Sequence, residues 1–309
     1  MLYILHENDE WIKALIDEFK KNNIEFTLWF VNNGINGSPV DFGNEPPDGV
    51  FYNRTSCSSH TRGHSYSIIY MQQILNWLES YGRRVINGSK AFNIEISKTV
   101  QYTNLIKDGF NVPKTNTFTS PDTILKTKLE YPCMVKDNQG GSGSGIFFIT
   151  SHDNLVAHLQ EHSYPISPDK LTLVQEYIES PIKRIYRVEC IDGKHLYTLS
   201  VDTKKGFNLC PATSCQMEVC PLKAAKGSEQ FKIIENPHPE LLEKYLEFSK
   251  KYKLDIVAFE YIVDKDGICW TYDINCNTNY NHEAEENWGQ INYAYRHLIE
   301  FFTKLTKNL

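Results

Sequence analysis

A glycine-rich segment between two apolar runs is the feature that most constrains the fold of this chain. The segment reads VKDNQGGSGSGIFFI, from Val135 to Ile149, and both of its flanks have the composition of β-strands. Its glycines are Gly140, Gly141, Gly143 and Gly145. A P-loop requires G-x-x-x-x-G-K-[ST] and a dinucleotide fingerprint requires G-x-G-x-x-G before a helix, and neither spacing fits. The segment therefore predicts a β-hairpin whose tip carries few side chains.

Composition sets the broad class of protein. The chain has 309 residues, of which 41% are hydrophobic, enough for a folded protein of two or three lobes. Its 32 basic and 38 acidic residues are dispersed, which gives no reason to expect nucleic acid as a partner. The N-terminus lacks the features of a secretory signal, and no apolar run approaches the roughly 18 residues of a membrane span. We expect a cytoplasmic protein without a membrane partner.

The eight cysteines favour reduced thiols over a disulfide framework in a chain of this length. Cys210, Cys215 and Cys220 are evenly spaced and raise the alternative of a zinc site. Zinc sites usually combine paired C-x2–4-C spacings, however, and Pro211 and Pro221 interrupt this segment. We expect an irregular segment in which the cysteines act as small apolar residues.

The hydrophobic pattern changes near Pro113. Before it, strand-like and helix-like segments alternate, as in Leu2–His6, Asp9–Asn22 and Phe26–Val31, which predicts a parallel α/β lobe. After it, strand-like segments dominate. The strands are expected near residues 131–136, 145–149, 172–176, 184–191, 195–201, 256–263 and 268–274.

Acidic and basic residues interrupt these apolar strands at defined places. In VAFEYIVDKDGICWTYDINCN, Asp273 and Asn275 lie on one face of a strand, and the preceding turn brings Glu260 roughly opposite. Two carboxylates and an amide oxygen suit Mg²⁺, whereas the alternative, a solvated strand edge, fits less well because the surrounding residues are apolar.

Phosphate binding is the matching expectation for the hairpin. Lys136 ends the apolar run YPCMVK, where its charge can hold phosphate oxygens. The glycine tip can turn its backbone N–H groups onto a triphosphate. The alternative is a mobile surface hairpin without a ligand.

These motifs together resemble the ATP-grasp superfamily and, within it, the RimK-type α-L-glutamate ligases, from about Val50 onward. VINGSKAFNIEISKTVQYTNLIKDGFNVPKT is similar to the segment that carries the first nucleotide lysine, here Lys98, with Ser97 where the family has Asp. LVQEYIES resembles the hinge that faces the adenine. RIYRV resembles the Asp-Ile-Arg strand, with Arg187 as its arginine and Ile185 in place of the Asp.

The resemblance implies an α/β fold of the ATP-grasp type, with a parallel N-terminal lobe (1–112), a central lobe (113–178) and a C-terminal lobe (179–309) that clamp ATP between antiparallel sheets. It implies Mg²⁺ as the metal, with Mn²⁺ as an alternative. The implied nucleotide contacts are Lys98, Lys136, Gly140, Gly141, Ser142, Gly143, Ser144, Gly145, Glu176, Tyr177, Ile178 and Glu179. The implied metal ligands are Glu260, Asp273 and Asn275.

Two segments depart from the ligase pattern. After Val201, DTKKGFNLC stands where an arginine-asparagine-glycine signature is expected, which leaves Arg187, Lys204 or Lys205 to stabilise an oxyanion. The loop after the metal ligands lacks the Ser-Pro-Gly of many relatives, and its Asn277 and Asn279 offer amide groups to a polar substrate.

The segment NRTSCSSHTRGH is the main indication of a substrate. Arg54 matches an arginine at the same strand end in the ligases, and a guanidinium suits bidentate carboxylate binding. The neighbouring candidates are Ser56, Ser58, Ser59, His60 and Arg62. The alternative is a hydroxyl-rich helix cap.

We expect an ATP-dependent carboxylate–amine ligase that forms an amide bond through an acyl phosphate and whose substrate is an amino acid, a short peptide or a protein terminus. The alternatives are a phosphotransferase of the same fold and a non-catalytic nucleotide-binding module. A homo-oligomer is compatible with the sequence.

Overall fold

Three β-sheets with flanking helices form the chain in this computed structural model, which describes residues 1–141, 145–161, 167–204 and 230–307. The first sheet has the order β3-β2-β1-β4-β5 and is parallel except for β3. Its elements are β1 (Leu2–His6), α1 (Asp9–Lys21), β2 (Phe26–Asn32), β3 (Gly34–Ile35), β4 (Val50–Asn53), a 3-10 helix (Ser59–Arg62), α2 (Ser67–Ser80) and β5 (Arg84–Ile86). The predicted parallel lobe is confirmed.

Two helices link this sheet to the second one. They are α3 (Ser89–Glu95) and α4 (Lys98–Lys107). The pattern of the segment RRVINGSKAFNIEISKTVQYTNLIKDGFNVPKTNTF instead predicts a strand, one helix, a turn that contains glycine and a second strand. The break falls at Ser97, which has extended backbone dihedrals and accepts a hydrogen bond from the Val100 N–H at 3.3 Å. Because of this cap, Lys98 stands in the first turn of α4.

The second sheet is antiparallel, with the order β6-β9-β7-β8. Its elements are β6 (Thr115–Phe118), α5 (Pro121–Lys126), β7 (Cys133–Asp137), β8 (Ile146–Ile149), α6 (His152–Glu161) and β9 (Thr172–Glu176). The pairing of β7 with β8 confirms the hairpin. Ser142, Gly143 and Ser144 of its tip lie outside the described residues. Gly145 has φ +71°, and a Cβ there would lie 2.4 Å from Asp137 Oδ2, so the position requires glycine.

The third sheet is also antiparallel, with the order β12-β11-β10-β13-β14. Its elements are β10 (Arg184–Ile191), β11 (Lys194–Asp202), β12 (Phe231–Ile234), α7 (Pro239–Tyr252), β13 (Ile256–Val263), β14 (Cys269–Asn275), α8 (His282–Asn287) and α9 (Tyr293–Thr306). Cys210, Cys215 and Cys220 lie outside the described residues. Among the helices that the structure describes, none combines the length and apolarity needed to cross a membrane.

Asn87 joins the first sheet to the third. It is 2% exposed; its Nδ2 donates to the carbonyls of Ile256 (2.7 Å) and Cys276 (2.6 Å), and its Oδ1 accepts from the N–H groups of Asp255 (3.0 Å) and Ile256 (3.2 Å). The amide thus uses its full hydrogen-bonding capacity on two backbone segments of the third sheet.

We expect Asn87→Ala to lower the free energy of unfolding by about 2–3 kcal/mol. The substitution leaves buried backbone N–H and C=O groups without hydrogen-bond partners and places alanine at φ +52°. Urea unfolding followed by circular dichroism measures the change. Asn104→Ala, at a surface position of α4, is the control and should change stability by no more than about 0.5 kcal/mol. Equal stability of the two variants would contradict the role of Asn87.

Candidate active site

A cleft opens where the three sheets meet, and it gathers more than half of the described residues that the sequence singled out. Its lining includes Ser56, Lys98, Lys136, Gly141, Glu176, Tyr177, Ile178, Arg187, Glu260, Asp273, Asn275, Asn277 and Asn279. Ser56 and Asn279 therefore share one cavity although they lie 223 positions apart in the chain.

Two carboxylates face each other on the floor of the cleft. Glu260 on β13 pairs in register with Asp273 on β14. Asn275 lies two residues further along β14, and its Nδ2 is 3.4 Å from both Glu260 Oε1 and Asp273 Oδ2. Tyr272 donates its phenolic hydrogen to Glu260 Oε2 at 3.1 Å. The three predicted metal ligands thus converge.

This donor set fits Mg²⁺. Two carboxylates and one amide leave most coordination positions to phosphate oxygens and water, as Mg²⁺ prefers. Within the described part of the chain, no group of three or more His, Cys, Asp or Glu side chains could hold a metal ion. A closed metal site built from such side chains alone is therefore not found there.

Each of the two carboxylates has a basic partner. Lys98 Nζ donates to Asp273 Oδ1 at 2.5 Å, and Arg187 Nη1 donates to Glu260 Oε1 at 2.5 Å. Burial lowers the pKa of Lys98, but the charge of Asp273, the nearby Tyr102 and the hydrogen bond to Asp273 together outweigh burial, so that the pKa lies above its ordinary value. Burial raises the pKa of Glu260, and Arg187 opposes that shift. The site thus holds two acid–base pairs side by side.

Lys136 differs from Lys98 because it forms no ion pair among those that the described residues make. It is 6% exposed, and its Nζ donates to Gln175 Oε1 at 2.5 Å. Burial and then the charge of Lys98 lower its pKa to about 7, against the opposing effects of Asp273 and Glu260. The charged form of a buried lysine with a lowered pKa is stabilised when an anion binds beside it. The position of Lys136 therefore suits the binding of a phosphate group.

The end of β9 forms one wall of the cleft. The Glu176 carboxylate accepts a hydrogen bond from the Lys114 N–H at 2.7 Å, which ties it to the start of β6. The Tyr177 ring lies 4.8 Å from that of Phe148 on β8. Tyr177 and Ile178 line the cleft, whereas Glu179 does not and instead pairs with Lys183.

The structure separates the three oxyanion candidates. Arg187 lines the cleft and is fixed by Glu189 (2.6 Å) and Thr278 (2.7 Å) in addition to Glu260. The side chain of Lys204 is 70% exposed and lies 3.7 Å from Asp202, away from the cleft lining. Lys205 lies outside the described residues.

Arg54 links the first lobe to the loop that follows β14. It is 5% exposed; its Nη1 donates to the Thr278 carbonyl at 2.8 Å and its Nη2 to Asn279 Oδ1 at 2.6 Å. Its Nε has no hydrogen-bond partner among the residues that the structure describes. The Asn277 Nδ2 in turn donates to the Arg54 carbonyl at 3.1 Å. None of the ion pairs among the described residues supplies Arg54 with a carboxylate.

Of the remaining substrate candidates, Ser56 lines the cleft, whereas Ser58, Ser59, His60 and Arg62 do not. Ser56 and Ser58 join their hydroxyls at 2.9 Å, and Arg62 Nη1 donates to Ser58 Oγ at 3.2 Å. Arg62 also forms an ion pair with the buried Glu7, in which the Arg62 Nη2 lies 2.7 Å from Glu7 Oε1. The charge of Arg62 is therefore balanced by Glu7. Ser59 is buried and His60 half-buried, and neither lines the cleft.

Glu7, Gln175 and Glu189 are site residues that the sequence analysis missed. Glu189 is fully buried and holds Arg187, and Gln175 holds Lys136. A signal for Glu189 was present, because an acid two residues after Arg187 on one strand lies on the same face. No comparable pattern marks Glu7, whose partner Arg62 lies 55 positions away.

Comparison with known proteins defines the fold. No protein-family model and no curated protein matches the chain. Solved structures do: the RimK domain ATP-grasp protein of Sphaerobacter thermophilus is 12% identical, with a TM-score of 0.63 over 95% of this chain and 96% of that one. D-alanine–D-alanine ligase of Bacillus anthracis is 16% identical, with a TM-score of 0.65 over 97% and 96%.

A third structure is the RiPP-associated ATP-grasp ligase of Chryseobacterium gregarium, in complex with ADP and a leader and core peptide. It is 16% identical, with a TM-score of 0.61 over 100% of this chain and 98% of that one. The chain therefore has the ATP-grasp fold, as the sequence predicts. Among the proteins of that fold that it resembles is one with a RimK domain.

Proposed function

We propose that this protein is an ATP-dependent carboxylate–amine ligase. The observation that carries the proposal is the cleft in which the ion pairs Lys98–Asp273 and Arg187–Glu260 stand beside Lys136, which forms no ion pair with the described residues. Activation of a carboxylate requires acids that hold a metal ion and cations that stabilise the transferred phosphate and the oxyanion, and the cleft provides two such acids and three such cations. Structural neighbours that are amino-acid and peptide ligases support the same class of reaction.

The reaction proceeds in two steps. A substrate carboxylate oxygen attacks the γ-phosphorus of ATP and ADP leaves; an amine nitrogen then attacks the acyl carbon, phosphate leaves and the amine loses a proton. Mg²⁺ supplies charge neutralisation at the phosphates, and Glu260, Asp273 and Asn275 would hold it. Lys98 and Lys136 orient the phosphates, and Arg187 faces the oxyanion of the second step. The glycine hairpin excludes water, which would otherwise hydrolyse the acyl phosphate.

We infer that the activated or accepting substrate is an amino acid or a short peptide. Arg54 is a buried cation without a carboxylate partner in the described ion pairs, and buried charges require partners. Its neighbours Asn277 and Asn279 line the cleft with amide groups suited to a peptide backbone. A ligase of the same fold was solved in complex with a leader and core peptide, which supports a peptide as the class of substrate.

A pooled-substrate assay tests the proposed function. The purified protein is incubated with MgATP and pools of amino acids and dipeptides, and ADP, phosphate and new masses are measured. We expect ADP and phosphate in step with a product whose mass is the sum of two components minus water. ADP formed with a phosphorylated product and no amide would instead establish a phosphotransferase, and nucleotide binding without turnover in any pool would count against the ligase.

Arg54→Met is expected to raise the KM of the carboxylate substrate by about 10- to 100-fold, since a charged hydrogen bond is lost. The KM for ATP should change little. Arg54→Lys is the matched control, because it retains the charge and should recover part of the loss. An unchanged KM for the carboxylate substrate in the Met variant would assign Arg54 to linking the lobes alone.

Nucleotide affinity should fall as the pH rises above about 7. The pKa of Lys136 is about 7 in the free protein, because burial and then the charge of Lys98 lower it more than Asp273 and Glu260 raise it. Phosphate favours the charged amine, so binding takes up a proton above pH 7 and affinity drops by at most about tenfold per pH unit. Calorimetric titration of ADP at about pH 6 and about pH 8, in buffers of different ionisation enthalpy, measures both effects. Lys136→Gln should remove them; a pH dependence that survives in this variant would refute the assignment.

A further inference from the structure

Asn138 lies where the strand that carries Lys136 ends. It follows β7 directly, and its backbone N–H donates to the Leu171 carbonyl at 3.3 Å, next to the start of β9. Asn138 is 2% exposed, so its side-chain amide must find hydrogen-bond partners within the protein. These partners come from two segments outside the hairpin.

The first of these segments is the start of α4. The Asn138 carbonyl accepts the Lys98 N–H at 3.2 Å, and Asn138 Oδ1 accepts the Thr99 N–H at 2.8 Å and the Thr99 hydroxyl at 2.9 Å. The first N–H groups of a helix have no partner within the helix, and Asn138 satisfies two of them. The first turn of α4, with Lys98 in it, is therefore fixed to the end of β7.

The second segment is the turn before β9, which holds the amide from the other side. Asn138 Nδ2 donates to Asp169 Oδ2 at 2.5 Å. Asp169 Oδ1 accepts the Ser167 hydroxyl at 2.6 Å and the Leu171 N–H at 3.1 Å, so the carboxylate is itself fixed. Because a carboxylate only accepts hydrogen bonds, it orients the amide of Asn138 with its nitrogen toward Asp169 and its oxygen toward α4.

We propose that Asn138, held by Asp169, is a positioning residue for the two lysines that bind the nucleotide phosphates. Lys98 stands in the first turn of α4, Lys136 lies two residues before Asn138, and both lysines line the cleft. One residue thus bonds to the helix and ends the strand, and it fixes the two lysine-bearing elements relative to each other. The inference rests on the proposed binding of phosphate by these lysines and not on the ligase reaction that follows.

An exchange of the two side chains tests this role. Asn138→Asp keeps an acceptor for the Thr99 N–H but sets two carboxylates against each other at positions 138 and 169. Burial, and then the charge of Asp169, already raise the pKa of Asp137 to about 6, so these surroundings disfavour a further negative charge. In the double variant Asn138→Asp/Asp169→Asn, the amide at position 169 donates to the carboxylate at position 138, and the contact with α4 is restored.

Calorimetric titration with ADP measures the effect on the phosphate site. We expect Asn138→Asp to raise the Kd for ADP by about tenfold or more, because repulsion displaces the first turn of α4 and Lys98 with it. The double variant should return to within about threefold of the wild-type Kd.

Asn154→Asp is the matched control for the added charge. Asn154 is exposed on α6, and its Oδ1 accepts the Thr150 N–H at 3.2 Å, away from α4. The Kd for ADP of this variant should stay within about twofold of wild type. Thr99→Val adds no buried charge and removes one hydroxyl from Asn138 Oδ1, so it tests the same contact in a chain that keeps its fold, with an expected rise of about two- to threefold.

Urea unfolding of each variant separates positioning of the lysines from support of the fold. Wild-type affinity for ADP in both Asn138→Asp and Thr99→Val, whatever their stability, would overturn the proposal. A double variant that binds as weakly as Asn138→Asp would do the same. A wild-type chain that does not bind ADP would overturn the proposed phosphate site together with this inference, whereas binding that Asn138→Asp leaves unchanged would overturn this inference alone.

Discussion

Asp273→Asn is expected to reduce turnover by about a thousandfold or more while the chain keeps its fold. Asp273 faces Glu260 across two strands and holds Lys98 through an ion pair, so its charge serves both the metal ion and the phosphate-binding lysine. Asparagine has nearly the same shape but no charge. We expect the rate of ADP release to fall, with the thermal midpoint of unfolding little changed.

A carboxylate in the same hairpin provides the control. Asp266 is exposed in the turn between β13 and β14, outside the cleft lining. Asp266→Asn should retain full turnover. Titration with Mn²⁺, followed by electron paramagnetic resonance in the presence of ADP, gives a readout of metal binding that does not depend on turnover, and the Asp273 variant should bind more weakly. Wild-type turnover by Asp273→Asn would defeat the metal assignment.

The sheets could be predicted from the sequence where strands are short, apolar and bounded by turn residues. Thr172–Glu176, Arg184–Ile191 and Ile256–Val263 have the predicted bounds to the residue. The prediction of a single helix before β6 was wrong, because the Ser97 hydroxyl caps the start of α4 and thereby competes with the continuation of α3. The helix boundary is set by this capping hydrogen bond, which the spacing of apolar residues along the sequence does not indicate.

The site was predictable where strand alternation determines it. Alternation places Asp273 and Asn275 on one face and a short turn brings Glu260 opposite, and this is the observed register. The partners of Arg54 were not predictable. The sequence marked its guanidinium as a candidate for binding a substrate carboxylate, but it gave no sign that two of its nitrogens also hold the loop at Thr278 and Asn279, more than 220 positions away. Contacts across such a separation depend on how the lobes pack, which no local pattern encodes.

Arg187→Met is expected to lower the free energy of unfolding by about 3–5 kcal/mol in metal-free buffer at neutral pH. Arg187 lies between Glu189 and Glu260, with all three side chains buried. Removal of the guanidinium leaves two buried carboxylates without a counter-ion. Arg184→Met is the control on the same strand: Arg184 is half-buried beside Asp202, and its loss should cost no more than about 1 kcal/mol.

The decrease in the free energy of unfolding caused by Arg187→Met should depend on pH if it comes from unpaired buried carboxylates, and should not if it comes from lost packing. Burial raises the pKa of Glu189 and Arg187 opposes the shift, so without Arg187 the pKa rises further. A carboxyl whose folded pKa exceeds its unfolded pKa contributes stability at low pH that is lost as the pH rises through the folded value. Urea unfolding should therefore show a small difference between wild type and Arg187→Met at about pH 5 and a large one at about pH 8. Equal differences at the two pH values would mean that Arg187 stabilises the fold by packing rather than by balancing Glu189.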